Sequence, residues 1–199
     1  MHDALLFLRT FLHDPNRVGA VAPSGEELAA LMCDSAGLEP GQVLVELGAG
    51  TGPFTRALVQ RMPDAPLMAI EPKAELAERL REELPGVHVV EAYAESLPEL
   101  CEAWGHASVD RVISGLPWTL WPPEVQRSAL DAVLAVLRDD GRFVTFNYLG
   151  AHWMPKARAL RGELQQRFGR VEMSSTAWRN MPPAFVYICS EPRTPVTPD

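Results

Sequence analysis

The segment Val43-Leu44-Val45-Glu46-Leu47-Gly48-Ala49-Gly50-Thr51-Gly52 places a glycine at every second position directly after an apolar run. Glycine turns tightly and lets the backbone approach a ligand that a Cβ would hold off. Pro53 follows, a residue suited to the first turn of a helix. Such a loop seats a ligand over the carboxyl ends of the strands, at the N-terminus of the helix. Glu71 stands about 20 residues past the loop, at the end of the next apolar run, where a carboxylate can accept hydrogen bonds from both hydroxyls of a ribose. A structural turn beside a solvated glutamate explains neither the order nor the spacing. The rival dinucleotide fingerprint GxGxxG would put its third glycine on Pro53.

Around these residues the chain reads as alternating helix and strand. An amphipathic helix is expected over 3–13, with Leu5, Leu8, Phe11 and Leu12 on one side, ending at Asp14-Pro15-Asn16. Gly19 to Gly25 reads as a loop, with Ser24 capping a helix that runs to Ser35 and Glu27 in the capping-box position. Strands are predicted at Val43–Leu47, Leu67–Ile70, Val87–Val90, Val109–Ser114 and Gly141–Asn147. The intervening helices are Pro53–Arg61, Ala74–Leu84, Leu97–Trp104, Pro123–Leu137 and Lys156–Phe168. Two last strands, Val171–Thr176 and Ala184–Ser190, have no helix between them and form an antiparallel edge hairpin. The whole is an α/β fold, a seven-stranded, mostly parallel sheet with helices on both faces. Residues 1–35 are expected to form a helical cap, 36–191 the catalytic domain and 192–199 a flexible tail.

Composition narrows the partners. The chain has 199 residues, 47% hydrophobic and 22% charged, which is globular rather than disordered. A net charge of −8 disfavours extended contact with nucleic-acid phosphates. Cys33, Cys101 and Cys189 are scattered and form no CxxC pair, so no metal is expected and a reducing, cytoplasmic setting suits them. Leu5-Leu6-Phe7-Leu8 is too short to span a bilayer and lacks the basic start of a signal peptide.

Glu46-Leu47-Gly48-Ala49-Gly50-Thr51-Gly52 resembles motif I of the class I methyltransferases that use S-adenosylmethionine. The resemblance implies a Rossmann-like sandwich and that cofactor. It places Glu46 beneath the methionine end and Gly48, Ala49, Gly50 and Gly52 against the cofactor, with Glu71 and Pro72 at its ribose. Tyr93, Ala94 and Glu95 stand where the family has a Gly-Asp-Ala at the adenine; either Tyr93 stacks on the base or Glu95 takes its amino group. Ser114, Gly115 and Leu116 face the transferable methyl, and Ser24 joins the cofactor set.

Two families compete for the acceptor. Ser114-Gly115-Leu116-Pro117-Trp118 is similar in shape to the Asn-Leu-Pro-Tyr loop of rRNA adenine dimethyltransferases, but Gly115 replaces the asparagine that accepts the adenine amino group. Gly19-Ala20-Val21-Ala22-Pro23-Ser24, Ser114 to Pro117, Phe146-Asn147-Tyr148 and Arg179-Asn180-Met181-Pro182-Pro183-Ala184-Phe185-Val186 resemble the bacterial phosphatidylethanolamine N-methyltransferases. That likeness implies an amine acceptor, the phosphatidylethanolamine head group or its methylated forms. A water-soluble small-molecule acceptor, methylated on N or O, and a non-catalytic cofactor-binding partner are the alternatives.

An amine must shed a proton before it attacks, so a general base is sought. Tyr148 and His152 lie nearest in sequence to the methyl-facing edge and are the candidates. Pro117, Trp118, Asn147, Tyr148, Arg179 and Asn180 are expected to contact the substrate, Arg179 through a lipid phosphate. Trp118, Trp121, Tyr148, Trp153 and Trp178 offer aromatic faces to a cationic amine. The helix over 3–13 serves either as a lid or as a peripheral membrane contact.

Overall fold

The computed structural model describes residues 22–193, with only the backbone of Ala22 to Ser24. The expected helix over 3–13, the Gly19 to Val21 stretch and residues 194–199 lie outside the described residues. Helix α1 spans Ala22–Ala36. Then come β1 (Leu44–Leu47), α2 (Pro53–Arg61), β2 (Leu67–Ile70), α3 (Ala74–Glu83), β3 (His88–Val90), α4 (Leu97–Trp104) and β4 (Val109–Ser114). The chain continues through α5 (Pro123–Val136), β5 (Leu137–Tyr148), α6 (Pro155–Arg167), β6 (Phe168–Ala177) and β7 (Ala184–Pro192).

The seven strands lie in the order β3-β2-β1-β4-β5-β7-β6. Strands β1 to β5 are parallel, and β7 enters antiparallel between β5 and β6. Because β1 lies between β2 and β4, the connections leaving it diverge, and a crevice opens at its carboxyl end. The glycine loop sits in that crevice.

Period-2 alternation sends neighbouring side chains to opposite faces of the sheet. Val45 and Leu47 of β1, Phe143 of β5 and Tyr187 of β7 join Leu97, Leu130 and Leu160 under α4, α5 and α6. Leu44, Ala69, Val144 and Val186 meet Met32, Leu58 and Leu80 of α1, α2 and α3 on the other face. A fully buried side chain of this size contributes about 2 kcal/mol of transfer free energy.

Three expectations change. Helix α1 already runs from Ala22, so Ser24 falls inside it rather than capping it. Strand β5 starts at Leu137, before Gly141, because the exposed Arg138-Asp139-Asp140 stretch is carried on the backbone rather than by apolar side chains. The β6–β7 hairpin is longer than its apolar runs, with Phe168 opposite Pro192 and Arg170 opposite Ser190, so β7 passes the expected boundary at 191. Ladder hydrogen bonds need no hydrophobic side chain on an exposed edge.

Candidate active site

The glycine loop is fixed by the sheet below it. Gly48 and Ala49 donate their N–H groups to the Ile70 carbonyl at 2.8 and 3.2 Å, and Gly52 donates to Ala49 at 2.8 Å. Gly48, Gly50 and Gly52 all have φ between +57° and +83°, the left-handed region that a side chain strains. A Cβ on Gly50 would meet nothing within 4 Å, so this backbone borders open space. Gly52 begins α2 with no side-chain cap, which leaves first-turn N–H groups available.

Glu71 closes the loop from the neighbouring strand. Its Oε2 accepts the Gly50 N–H at 2.8 Å and its Oε1 accepts the Lys73 N–H at 3.0 Å. Each carboxylate oxygen keeps a further lone pair for a ligand hydroxyl. Pro72 is half-buried beside it.

Glu46 lies under the loop, fully buried, on the face that carries α2. Neither carboxylate oxygen has a hydrogen-bond partner among the described residues, nor does the Thr55 hydroxyl. Burial pushes its carboxyl from the ordinary 4.5 up to about 7, with Thr55 pulling the other way. An open glycine backbone, a strand-end carboxylate already bonded to it and a buried acid lacking a counter-charge fit a cationic nucleoside.

The loop after β3 carries the other nucleoside candidates. Tyr93 is 70% exposed, Ala94 is buried and Glu95 is half-buried in a short 3-10 turn. Tyr93 and Glu95 both follow the carboxyl end of β3.

After β4 the backbone presses against the glycine loop. Gly115 donates to the Leu47 carbonyl at 2.8 Å, and a Cβ on it would stand 2.8 Å from the Gly48 carbonyl oxygen. Only glycine passes there without moving backbone, which is the physical reason no asparagine occupies this position. Gly115→Ala should cost about 2 kcal/mol of stability by overpacking and should weaken nucleoside binding, checked by urea unfolding and calorimetry.

The serine and tryptophan of this loop brace it from within. Ser114 is fully buried, and its hydroxyl accepts the Leu116 N–H at 3.3 Å and the Trp118 indole N–H at 3.0 Å. Trp118 is 2% exposed and packs edge-on to Phe143 and Trp121. This packing pins the loop, and what remains accessible of Trp118 borders the cleft between the loop and β5. Gln126 of α5 adds a clamp, donating to the Trp118 carbonyl at 2.7 Å and that of Trp121 at 3.1 Å. Nothing in the sequence singled out Gln126.

A cleft opens between this loop and the end of β5, bordered among others by Leu116, Pro117, Trp118, Phe146, Asn147 and Tyr148. Asn147 is 4% exposed; its Oδ1 accepts the Tyr148 N–H at 2.8 Å, which orients the amide, and Nδ2 has no hydrogen-bond partner among the described residues. Tyr148 is half-buried and stacks edge-on to Phe146, and burial pushes its phenol up to about 12. It holds its proton at neutral pH. His152 is half-buried between Trp153 and Phe185, with Nδ1 3.4 Å from the Tyr187 hydroxyl. Sequence reading missed Tyr187, which lies on a strand far along the chain.

The remaining expected contacts separate. Asn180 is buried and donates from Nδ2 to the Pro182 carbonyl at 2.7 Å, so its side chain shapes the β6–β7 loop. Arg179 is exposed, its backbone N–H bonded to Glu27 at 2.7 Å. Trp153 and Trp178 are 80% and 67% exposed and form no aromatic cage. Burial raises all three cysteine thiols, Cys33 and Cys101 to about 11, which keeps them protonated at neutral pH. Among the described residues, no His, Cys, Asp and Glu group could hold a metal, and no helix is long and apolar enough to cross a membrane.

Comparison with known proteins agrees with this geometry. Residues 44–141 match a family described as a methyltransferase domain. Over 197 residues the chain is 33% identical to the ornithine lipid N-methyltransferase of Singulisphaera acidiphila, covering 95% of this chain and 96% of that one. It is 32% identical over 84 residues to the ribosomal RNA small subunit methyltransferase A of Prosthecochloris aestuarii, which is 42% of this chain and 27% of that protein. The S-adenosylmethionine-dependent O-methyltransferase structure from Thermotoga maritima superposes with a TM-score of 0.63 at 15% identity, over 92% of this chain and 71% of that one, a likeness of fold.

Proposed function

This chain belongs to the S-adenosylmethionine-dependent methyltransferases, and we propose that its acceptor is the primary amine of a membrane lipid head group. The observation that carries the reading is the cleft at the end of β5, apolar-walled, with, among the described residues, one unpartnered amide N–H donor and no carboxylate on its border. Near-full-length likeness to a lipid N-methyltransferase supports it. The expectation of phosphatidylethanolamine broadens accordingly: phosphatidylethanolamine and ornithine lipid share an aliphatic amine beside acyl chains, and both are candidates.

Gly48, Ala49, Gly50, Gly52, Glu71 and Pro72 would hold the cofactor, with Glu46 below. Bound S-adenosylmethionine supplies a methyl group on sulfonium, an electrophile whose leaving group is a neutral thioether. The protein's part is placement, which for well-held reactants contributes about 7–11 kcal/mol. Asn147 Nδ2 donates to a head-group oxygen and fixes the amine's approach. The Tyr148 hydroxyl oxygen accepts a hydrogen bond from the amine. His152, held by Tyr187, takes the proton that the ammonium loses. Residues 3–13 add a peripheral membrane contact in this reading.

The test is transfer of radiolabelled methyl to phosphatidylethanolamine, ornithine lipid, RNA and a pool of soluble amines in parallel. Label in either lipid supports the proposal. Label only in RNA or soluble amines overturns it, and label nowhere favours a cofactor-binding partner. Tyr148→Phe should lower kcat about tenfold, the loss of one hydrogen bond to a charged group, with cofactor affinity unchanged. The pH–rate profile of the wild type should show no step from Tyr148 below about pH 10, and a step that disappears in Tyr148→Phe would contradict its assignment.

A further inference from the structure

We propose that the rim of the cleft is a second membrane-docking surface, independent of residues 3–13, that seats on an anionic bilayer. It comprises residues 149–154, the start of α6 and the β6–β7 loop at 178–183. The proposal rests on the lipid-amine reading and names the surface from which that site is served.

Four large apolar side chains are exposed on these two connections: Trp153 at 80%, Met154 at 36%, Trp178 at 67% and Met181 at 70%. Scattered exposed apolar residues are ordinary, but a cluster beside a cleft marks an interaction surface. The connections are joined to each other, since Leu149 donates its N–H to the Pro183 carbonyl at 2.8 Å. Both lie at the end of the sheet where the cleft opens: Tyr148 ends β5, and Ala184, its partner in the ladder, begins β7. An indole ring with an apolar body and a polar N–H settles at the boundary between head groups and acyl chains.

Charge identifies the occupant. The chain carries −8 overall, yet the stretches from Gly141 to Gly162 and from Met173 to Ser190 contain no Asp or Glu. Those stretches supply Lys156, Arg158, Arg161 and Arg179, all exposed. None of the four belongs to an ion pair among the described residues. Glu27 reaches the rim, but it accepts the Arg179 backbone N–H and not the guanidinium. Exposed tryptophans flanked by unpaired cations, in a protein otherwise acidic, complement anionic lipid head groups. Docked there, the protein can take a lipid amine without extracting its acyl chains from the bilayer.

The experiment uses the full chain and vesicles of phosphatidylethanolamine with phosphatidylglycerol. Wild type should co-sediment, and brominated acyl chains should quench its tryptophan emission. Trp153→Ser with Trp178→Ser should reduce the bound fraction about tenfold and remove most of the quenching. Lys156→Glu with Arg158→Glu should reduce binding to a similar degree and abolish its dependence on phosphatidylglycerol and on salt. The Lys156→Glu, Arg158→Glu variant should methylate detergent-dispersed lipid at a rate within about twofold of wild type, since neither residue borders the cleft. Vesicle binding by both variants equal to wild type overturns the proposal. So does a wild-type dimer that the tryptophan variant lacks, which would make a second copy the occupant. Absence of methyl transfer to any lipid, in micelles or vesicles, defeats the lipid-amine reading alone, because partitioning is measured without turnover.

Discussion

Glu71→Ala should weaken S-adenosylmethionine binding about 5- to 150-fold, a loss of roughly 1–3 kcal/mol, measured by calorimetry on the purified chain. Two effects add. The ribose hydroxyls lose a charged acceptor, and the Gly50 and Lys73 N–H groups lose the carboxylate that now orders the loop at 2.8 and 3.0 Å. Glu71→Gln separates them, because an amide oxygen still accepts one N–H bond while its NH2 cannot accept a hydroxyl. The glutamine variant should therefore fall between wild type and alanine. Affinity unchanged in both would show that the nucleoside sits elsewhere.

The second large effect concerns the acid beneath the loop and appears as pH-dependent stability. Burial raises the Glu46 carboxyl from 4.5 to about 7, so the folded protein keeps a proton there that the unfolded chain has released. Stability from this group is present below about pH 4.5 and is lost as pH rises towards 7, by about 3 kcal/mol across the window. Glu46→Gln cannot ionise. In urea unfolding of the cofactor-free protein it should exceed wild type by about 2–3 kcal/mol at pH 8 and match it below about pH 4. A cationic ligand above favours the charged carboxylate, so wild-type cofactor affinity should rise between pH 6 and 8 while that of Glu46→Gln stays flat. Parallel stability curves for the two proteins would show that Glu46 does not titrate with folding.

Much of this was legible in the order of residues. Apolar runs of strand length separated by helical periods specify the parallel sheet, and Gly48, Gly50 and Gly52 demand the left-handed turns that the structure contains. Glu71 follows a strand end as its spacing implied, whereas its bond to the Gly50 N–H was not read from the sequence. Gly115 was legible as a departure from an asparagine, although the reason, the Gly48 carbonyl 2.8 Å from any Cβ, was not.

The sequence by itself determined the elements, the glycine turn and the acid beside it, because those signals are local and carried by contiguous residues. Tertiary structure decided which polar groups are spent and which are free. Ser114 and Trp118 satisfy each other across four positions, Asn180 is consumed by its own loop, and Tyr187 stands at His152 only because β7 pairs with β5 in that register. It also decided that Trp118 is interior while Trp153 and Trp178 face outward. Whether an aromatic ring is core or surface depends on which elements cover it, and that cover comes from residues distant in the chain.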